Sequence, residues 1–343
     1  MFLINSLKRY LINDMDGIIG KINQHCNTFE VDLNNIPAGR SIISSTLLDQ
    51  LEVEPTTFSK GSIGYIYISK YYNKKIAIKI ISSEIKDKVY NDVKSTNLIS
   101  NIKSNISEIG TEISNTIINE LNMINELENC YLLHNESNHL FYDVKFLQPI
   151  KDLCSTKEFV YYFEEAISLL EMKKYLNVED IHKIAKKIVL FYFDCLHNRD
   201  ILLGDININN ILYQVETKKI IILDYGNITK IDQNKKLLIK EIHNSQTSTE
   251  KLTRIVKKWN GSKQIFELLF NQSRPFFDLS QKKYHFNQIN TEINIFDYQI
   301  YNLQIPSEII WVIRASSQLI QLLKSLDIYD NFSKDIIDLI NDM

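Results

Sequence analysis

The stretch HNRDILLGDININNILYQVETKKIIILDYGNITKID, from His197 to Asp232, decides the fold of this chain. Asp205 lies in a loop-like segment, Asn210 follows it five residues later, and Asp224 begins an Asp-Tyr-Gly triplet after an apolar run. Carboxylate and amide oxygens are the ligands that Mg²⁺ prefers in proteins. We therefore predict that Asn210 and Asp224 hold Mg²⁺ and that Asp205 orients or deprotonates an acceptor hydroxyl or water.

A lysine upstream stands in an apolar strand. Lys79 lies within IAIKI, where the side chains alternate, and a buried ammonium needs a counter-ion. The segment from about residue 84 to 133 has helical spacing, so we predict one long amphipathic helix there. Glu120 on this helix is the predicted partner of Lys79, with Glu126 as a second acid on a nearby face.

Two further segments are candidates for nucleotide binding. The turn SKGSIG offers backbone N–H groups to phosphates through Gly61, Ser62 and Gly64, because glycine leaves room for close approach. Within the segment FVYYFEEAIS, Phe163 to Ala166, including Glu164, are predicted to form the hinge between two lobes and to offer backbone groups to the adenine of ATP. A strand with exposed aromatic side chains is the alternative interpretation of that segment.

The joint order of these residues favours one architecture. A strand lysine, a helical glutamate, an Asp with Asn at the fifth following position and an Asp-aromatic-Gly triplet occur in the order found in protein-kinase-like phosphotransferases. We predict an α+β, bilobal protein-kinase-like fold with a small antiparallel β lobe and a mainly helical C-lobe. The predicted domains are an N-terminal helical extension (1–54), the N-lobe with a helical insert (55–165) and the C-lobe (166–343).

The sequence also resembles the UbiB/AarF/ADCK family of atypical kinase-like proteins. FSKGSIGYIYIS resembles the family's alanine-rich loop that ends in Ser-Ile-Gly, and the helix carries two glutamates six residues apart, as that family does. The loop DININN keeps the first Asp and the last Asn of the family's pattern. GKINQ is similar to the KxGQ signature through Lys21 and Gln24, and the C-terminal helical pattern around Arg314 resembles the family's closing helix.

The resemblance implies Mg-ATP binding, with ATPase or phosphotransferase activity. In the family the alanine-rich loop and the KxGQ helices are thought to restrain protein phosphorylation, and members serve quinone lipid biosynthesis. Here Lys60 and Gly61 replace loop alanines, and Ile208 and Asn209 replace a proline and a glycine. Two alternatives remain open: a small-molecule phosphotransferase resembling aminoglycoside kinases, and a pseudokinase scaffold. The acceptor is a protein, a lipid or a small molecule.

Composition limits the remaining classes. A formal net charge of -3 gives no basic footprint, so we expect no nucleic-acid partner. The four cysteines have no metal-binding spacing and are predicted to be reduced thiols. With neither a signal peptide nor an apolar run of ~18 residues, we expect a cytoplasmic protein without a transmembrane segment, for which peripheral membrane contact stays open.

Overall fold

The computed structural model of the chain describes residues 39–60, 64–81, 86, 119, 121–136, 142–245, 248–259, 263–280, 283–289 and 307–341. Their contacts define two units. The first unit holds the described residues up to Glu128, together with Gln148–Glu164, and the second holds Asn129–Leu147 and all described residues from Glu165 onward. The domain bounds given by the sequence stay a prediction; in the structure Asn129–Leu147 and Glu165 belong to the second unit, and the described residues before Pro55 belong to the first.

The helices and strands are numbered in chain order. The described helices are α1 (Gly39–Ile42), α2 (Ser45–Leu48), α3 (Met123–Glu136), α4 (Leu169–Met172), α5 (Val178–Asn198), α6 (Gln233–Asn244), α7 (Thr249–Lys258), α8 (Lys263–Phe277), α9 (Ser307–Ser325) and α10 (Ser333–Asn341). The described strands are β1 (Thr56–Lys60), β2 (Gly64–Tyr71), β3 (Lys74–Ile81), β4 (Val144–Phe146), β5 (Glu158–Tyr162), β6 (Ile167–Ser168), β7 (Ile201–Leu203), β8 (Ile211–Gln214), β9 (Lys219–Ile222), β10 (Ile228–Lys230), β11 (Tyr284–His285) and β12 (Tyr329–Asp330).

The first unit is built on an antiparallel sheet with the strand order β1-β2-β3-β5. Strands β2 and β3 form a hairpin whose turn residues, Tyr72 and Asn73, have φ angles of 46° and 59°. Positive φ at both central residues is typical of the turn that matches the twist of a hairpin. The Asn73 N–H donates to the Glu52 carboxylate at 3.0 Å, which fixes the turn. The alternation of apolar and polar residues from Tyr65 to Ile80 predicts two antiparallel strands joined near Asn73, and the structure has them.

Alternating side chains of this sheet form the core of the first unit. Tyr67, Ile76, Ile78 and Val160 are fully buried, and Leu47 of α2 packs in the same cluster. Burying apolar surface at about 25 cal/mol per Å² is the main stabilising contribution in such a cluster. The core therefore fixes β3, the strand that carries Lys79.

One prediction in this region is wrong. The helical spacing from residue 84 to 133 predicted one long helix, but Leu121 lies in a turn and α3 begins only at Met123. The helical segment is interrupted at Asn122, because the Asn122 side-chain oxygen accepts the Ile124 N–H at 3.1 Å and so caps the start of a new helix. Glu120, together with most of residues 82–118, lies outside the described residues.

The second unit is mainly helical, as predicted. Apolar side chains at helical spacing from Ile181 to Leu196 predict a helix from residue 178 to 198, and α5 has these bounds. At its start the Asn177 side chain accepts the Asp180 N–H at 2.9 Å. Strands β4, β9, β8 and β6 form one small sheet, β7 and β10 form a two-stranded pair, and so do β11 and β12. The two antiparallel pairings that follow α5 position the Asp205 and Asp224 segments.

Candidate active site

Lys79 is half-buried on β3 and contacts an acid of α3. Its Nζ lies 2.6 Å from Glu126 Oε1, and the two side chains are 14% and 2% exposed. The sequence analysis assigned Glu120 to this contact, whereas the ion pair that the structure describes is with Glu126. Glu120 lies outside the described residues, and Glu126 lies in the first turn of α3, which begins after Asn122.

The glycine turn is described only at its end. Gly61 and Ser62 lie outside the described residues, as do Lys21 and Gln24 of the N-terminal signature. Gly64 begins β2, where a Cβ would lie 1.7 Å from the Ile80 carbonyl oxygen of the neighbouring strand. The close approach of β3 is therefore the physical reason for a glycine at this position.

The predicted hinge segment begins where β5 ends. The Phe163 N–H donates to the Lys75 carbonyl at 3.0 Å, so this donor is used in the sheet. The Lys75 ammonium also lies 3.9 Å from the centre of the Phe163 ring. Glu164 is the last residue of the first unit in this part of the chain, and Glu165 belongs to the second; the role of the segment as a hinge stays a prediction.

In the second unit, Asp205 follows β7. The Gly204 N–H donates to the Asn227 carbonyl at 2.8 Å, which continues the antiparallel pairing of β7 with β10. A Cβ on Gly204 would lie 2.6 Å from Asn227 Oδ1. The segment that holds Asp205 is thus tied directly to the segment that follows Asp224.

An asparagine shapes the loop where the family pattern has a proline and a glycine. The Asn207 side-chain oxygen accepts the Asn209 N–H at 2.9 Å, and the Asn207 backbone carbonyl accepts the Asn210 N–H at 2.9 Å. These bonds form the short 3₁₀ turn Ile208–Asn210. Local Asn side-chain bonds of this kind stabilise turns. In the family pattern a proline and a glycine restrict the backbone of this loop. In this chain the side chain of Asn207 holds the turn through a hydrogen bond instead.

The two predicted metal ligands flank one hairpin. Asn210 precedes β8 and Asp224 follows β9, and Ile211 pairs with Ile222 across these strands. The Leu223 N–H donates to the Asn210 carbonyl at 2.9 Å, which extends the pairing towards Asp224. Among the described residues, no hydrogen bond engages the Asn210 side-chain amide. An amide oxygen and a carboxylate near the same hairpin end form a donor set that suits a hard cation.

Tyr225 anchors the Asp-Tyr-Gly triplet. Its side chain is fully buried, and its hydroxyl accepts the Leu147 N–H at 2.8 Å and donates to the Ile222 carbonyl at 2.6 Å. The Asn129 side chain donates to the Tyr225 carbonyl at 2.8 Å. The Gly226 N–H donates to Asp224 Oδ1 at 2.9 Å. The backbone around Asp224 is therefore held from β9, from Leu147 and from α3.

Helix α9 contacts Asp205. Arg314 Nη2 lies 3.1 Å from Asp205 Oδ2, and Gln318 Nε2 donates to Asp205 Oδ1 at 2.8 Å. Gln318 Oε1 accepts the Ile206 N–H at 3.0 Å. Burial raises the pKa of Asp205, and the Asp224 carboxylate adds to this, whereas Arg314 and Gln318 lower it; the net pKa lies above the ordinary value.

The sequence did not predict the contacts made by Asn207 and Gln318, and it gave Glu126 only as a second acid beside Glu120. A cap signal at Asn122 could have indicated that α3 starts anew and carries Glu126. The polar pair Arg314 and Gln318, four residues apart in an apolar helix pattern, could have indicated a shared polar face. Their target could not be found from sequence, because more than 100 residues separate them from Asp205.

Other described features bear on the earlier expectations. Cys130, Cys154 and Cys195 carry free thiols, and Cys26 lies outside the described residues. Within the described ranges, no cluster of three or more His, Cys, Asp or Glu side chains could hold a metal ion. None of the helices described here combines the length and apolar character that a membrane crossing requires.

Comparisons with known proteins agree with this architecture. The model of the ABC1 atypical kinase-like domain matches residues 45–257, more than half of the chain. A solved structure titled as the complex of Rv3197 and erythromycin from Mycobacterium tuberculosis is similar with a TM-score of 0.64 and 12% identity, covering 99% of this chain and 97% of that one. A search of curated proteins finds no match. At this identity the likeness to the solved structure shows the fold.

Proposed function

This chain belongs to the ABC1 atypical kinase-like family, and we propose that it binds Mg-ATP and acts as an ATPase or phosphotransferase. The predicted family resemblance and the α+β kinase-like fold are confirmed by the family match and by the solved relative. The observation that carries the proposed activity is the hairpin β8-β9, which sets Asn210 and Asp224 at one end and is hydrogen-bonded between them.

In this proposal Asn210 and Asp224 hold Mg²⁺. The bound cation would neutralise charge on the phosphates of the nucleotide. Asp205 accepts the hydrogen bond of the acceptor hydroxyl or water and so orients it for in-line attack. The Gly226 N–H bond to Asp224 Oδ1 fixes the carboxylate before a ligand arrives, which reduces the cost of ordering it.

The first unit contributes the phosphate cation and its support. Lys79 Nζ binds the nucleotide phosphates, and Glu126 holds the ammonium in position through the 2.6 Å ion pair. A 2% exposed carboxylate needs a cationic or hydrogen-bonding partner to stay ionised, so Glu126 and Lys79 stabilise each other's charged forms. Gly64 and the preceding loop residues Gly61 and Ser62 would supply backbone donors to the phosphates.

One observation favours a small hydroxylated acceptor as a second candidate. The similar solved structure is titled as a complex with erythromycin, a molecule that bears several hydroxyl groups. Asp205 is preceded by Gly204, as in the small-molecule kinases that the sequence also resembles. Erythromycin and aminoglycosides therefore belong in an acceptor screen beside water, proteins and lipids.

The experiment measures ATP binding and phosphate release by the purified chain with and without Mg²⁺. We expect turnover in the wild type, a loss of at least about 100-fold in Asp224→Asn and a comparable loss in Lys79→Ala. Glu216→Gln, in the exposed turn at the other end of the β8-β9 hairpin, is the matched control for the first variant. Lys70→Ala, at an exposed position on β2, is the control for the second.

The outcomes separate the hypotheses. Magnesium-dependent turnover that survives in Asp224→Asn would refute the metal assignment. Nucleotide binding with thermal stabilisation but no phosphate release would favour a pseudokinase scaffold. A wild-type chain that neither binds nor hydrolyses ATP would refute the enzyme hypothesis. Transfer of labelled γ-phosphate to erythromycin or an aminoglycoside would favour the small-molecule kinase.

A further inference from the structure

Helix α9 reaches the Asp205 loop with two polar side chains from one face. Arg314 and Gln318 are four residues apart, so both project to the same side of the helix. Each contacts a different oxygen of the same carboxylate, Oδ2 for Arg314 and Oδ1 for Gln318. Gln318 also accepts the backbone N–H of Ile206. The amide therefore fixes the carboxylate relative to the backbone that carries the next residue.

The two oxygens of the Asp205 carboxylate accept different numbers of hydrogen bonds. Oδ1 accepts from Gln318 Nε2 at 2.8 Å and from the Asn207 N–H at 3.3 Å. Within the described part of the chain, Oδ2 accepts only from Arg314, at 3.1 Å. A carboxylate oxygen accepts about two hydrogen bonds. Oδ2 thus keeps one acceptor position, whereas both positions of Oδ1 are used.

We propose that Arg314 and Gln318 are positioning residues for the reaction proposed above: Arg314 keeps Asp205 ionised, and Gln318 orients the carboxylate so that Oδ2 receives the acceptor hydroxyl. This inference rests on the proposed function, since it gives Asp205 the acceptor-binding role. It adds that a helix more than 100 residues later in the chain determines the charge and orientation of that group.

The charges around Asp205 give the inference a direction in pH. Arg314 on α9 is the cation that faces the carboxylate, and Asp224 is the anion that faces it from the neighbouring loop. Without Arg314, burial and Asp224 remain, and both raise the pKa of Asp205. The ionised fraction of Asp205 at a given pH therefore falls in an Arg314 variant. If turnover requires the charged carboxylate, it would begin to fall on acidification at a higher pH in the variant than in the wild type.

The first experiment measures the ionisation of Asp205 without using activity. The carboxyl carbons of aspartate are labelled with ¹³C, the Asp205 signal is identified by its loss in Asp205→Asn, and the titration is compared between wild type and Arg314→Met without metal. Methionine keeps an apolar stem beside Trp311, whose ring centre lies 5.3 Å from Arg314 Cζ. We expect the Asp205 titration to move to higher pH in the variant.

The matched control is Lys324→Met, which removes one positive charge from the same helix, ten residues or about 15 Å along its axis. It should leave the Asp205 titration unchanged. An unchanged titration in Arg314→Met would overturn the inference, and an equal shift in both variants would show that net charge, not the contact, is responsible. The titration of Asp205 tests the inference even if the wild type has no turnover.

The second experiment uses the pH profile of turnover. In Arg314→Met we expect the acid limb of kcat to move to higher pH with little change in the KM for ATP, and Arg314→Lys should restore part of the profile. Gln318→Leu should lower kcat by about tenfold, the usual effect of a lost orienting bond. Gln321→Leu, an exposed amide on the same helix, should have no effect. Wild-type profiles in Arg314→Met and Gln318→Leu, at full turnover, would overturn the positioning role while leaving the proposed function intact.

Discussion

Each unit of the molecule contains a carboxylate and a cation in contact, but the roles are exchanged. In the first unit the cation Lys79 is the proposed ligand-binding group, and the deeply buried Glu126 holds it. In the second the carboxylate Asp205 is the proposed functional group, and Arg314 holds it with help from Gln318 and the Asn207 backbone. The two pairs also differ in burial, since the acid of the first pair, Glu126, is 2% exposed and that of the second, Asp205, is 21% exposed.

The strongest test of this contrast is to remove each cation. Lys79→Met leaves the Glu126 carboxylate, 2% exposed, without the ammonium it contacts, and breaking a buried pair in this way costs about 3–5 kcal/mol. Arg314→Met leaves Asp205 with the donors from Gln318 and Asn207, so we expect a loss of about 1 kcal/mol. Urea unfolding followed by circular dichroism measures both.

The double variant Lys79→Met with Glu126→Met checks that the loss comes from breaking this buried ion pair. Replacing a buried pair by apolar residues of similar volume is often neutral, so most of the stability should return. The contrast between the units would fail if Arg314→Met proved as destabilising as Lys79→Met.

A smaller effect is expected from the glycines near the two pairs. Gly64→Ala would place a Cβ 1.7 Å from the Ile80 carbonyl, a backbone atom of the sheet, and we expect a loss of about 3 kcal/mol. Gly204→Ala would meet the Asn227 side chain at 2.6 Å, which can move, so a loss of about 1 kcal/mol is expected. Thermal unfolding of the two variants would contradict this explanation if their order were reversed.

The third effect is a loss of stability of the second unit at low pH. His197 Nε2 and His243 Nδ1 lie 2.9 Å apart in the core of the second unit, and His243 also contacts Ser273. Burial lowers the pKa of His243 to about 3 and that of His197 well below its ordinary value. The unfolded histidines bind protons below about pH 6.5 and the folded ones do not, so stability falls as pH drops below that value.

The expected slope is about 1.4 kcal/mol per pH unit for each histidine, or about 2 kcal/mol each by pH 5. Trp259 and Trp311 both belong to the second unit, so their fluorescence reports its unfolding. His243→Gln keeps a hydrogen-bonding amide without the titration and should reduce the pH dependence. An unchanged slope in this variant would assign the acid sensitivity to carboxylates instead.

Local patterns predicted much of the fold. The alternation in β2 and β3, the turn at Asn73 and the helix from Val178 to Asn198 follow from periodicity and capping, and the structure has them. The two short apolar runs between Asn210 and Asp224 likewise predict two strands, which the structure pairs as the β8-β9 hairpin with these residues at one end.

The same local patterns did not predict the tertiary contacts of the site. The described contact of Lys79 with Glu126 depends on where α3 starts, and the side chain of Asn122 caps the helix at that point. The contact of Arg314 with Asp205 joins segments far apart in sequence, and neither composition nor period identifies which residues meet across the core. The helical periodicity of the segment up to residue 133 gave no sign of the interruption before α3.

The Tyr225 hydroxyl has a consequence for the conformational freedom of its loop. A phenylalanine there could leave its pocket at the cost of apolar burial alone, whereas Tyr225 must also give up its bonds to Leu147 and Ile222 in a dry interior. At about 1 kcal/mol for each bond, the population with the ring displaced falls by roughly thirtyfold. Small molecules that require the ring to vacate its pocket would bind more weakly by the same factor, so compounds that accept the loop as it stands are better starting points for chemical probes.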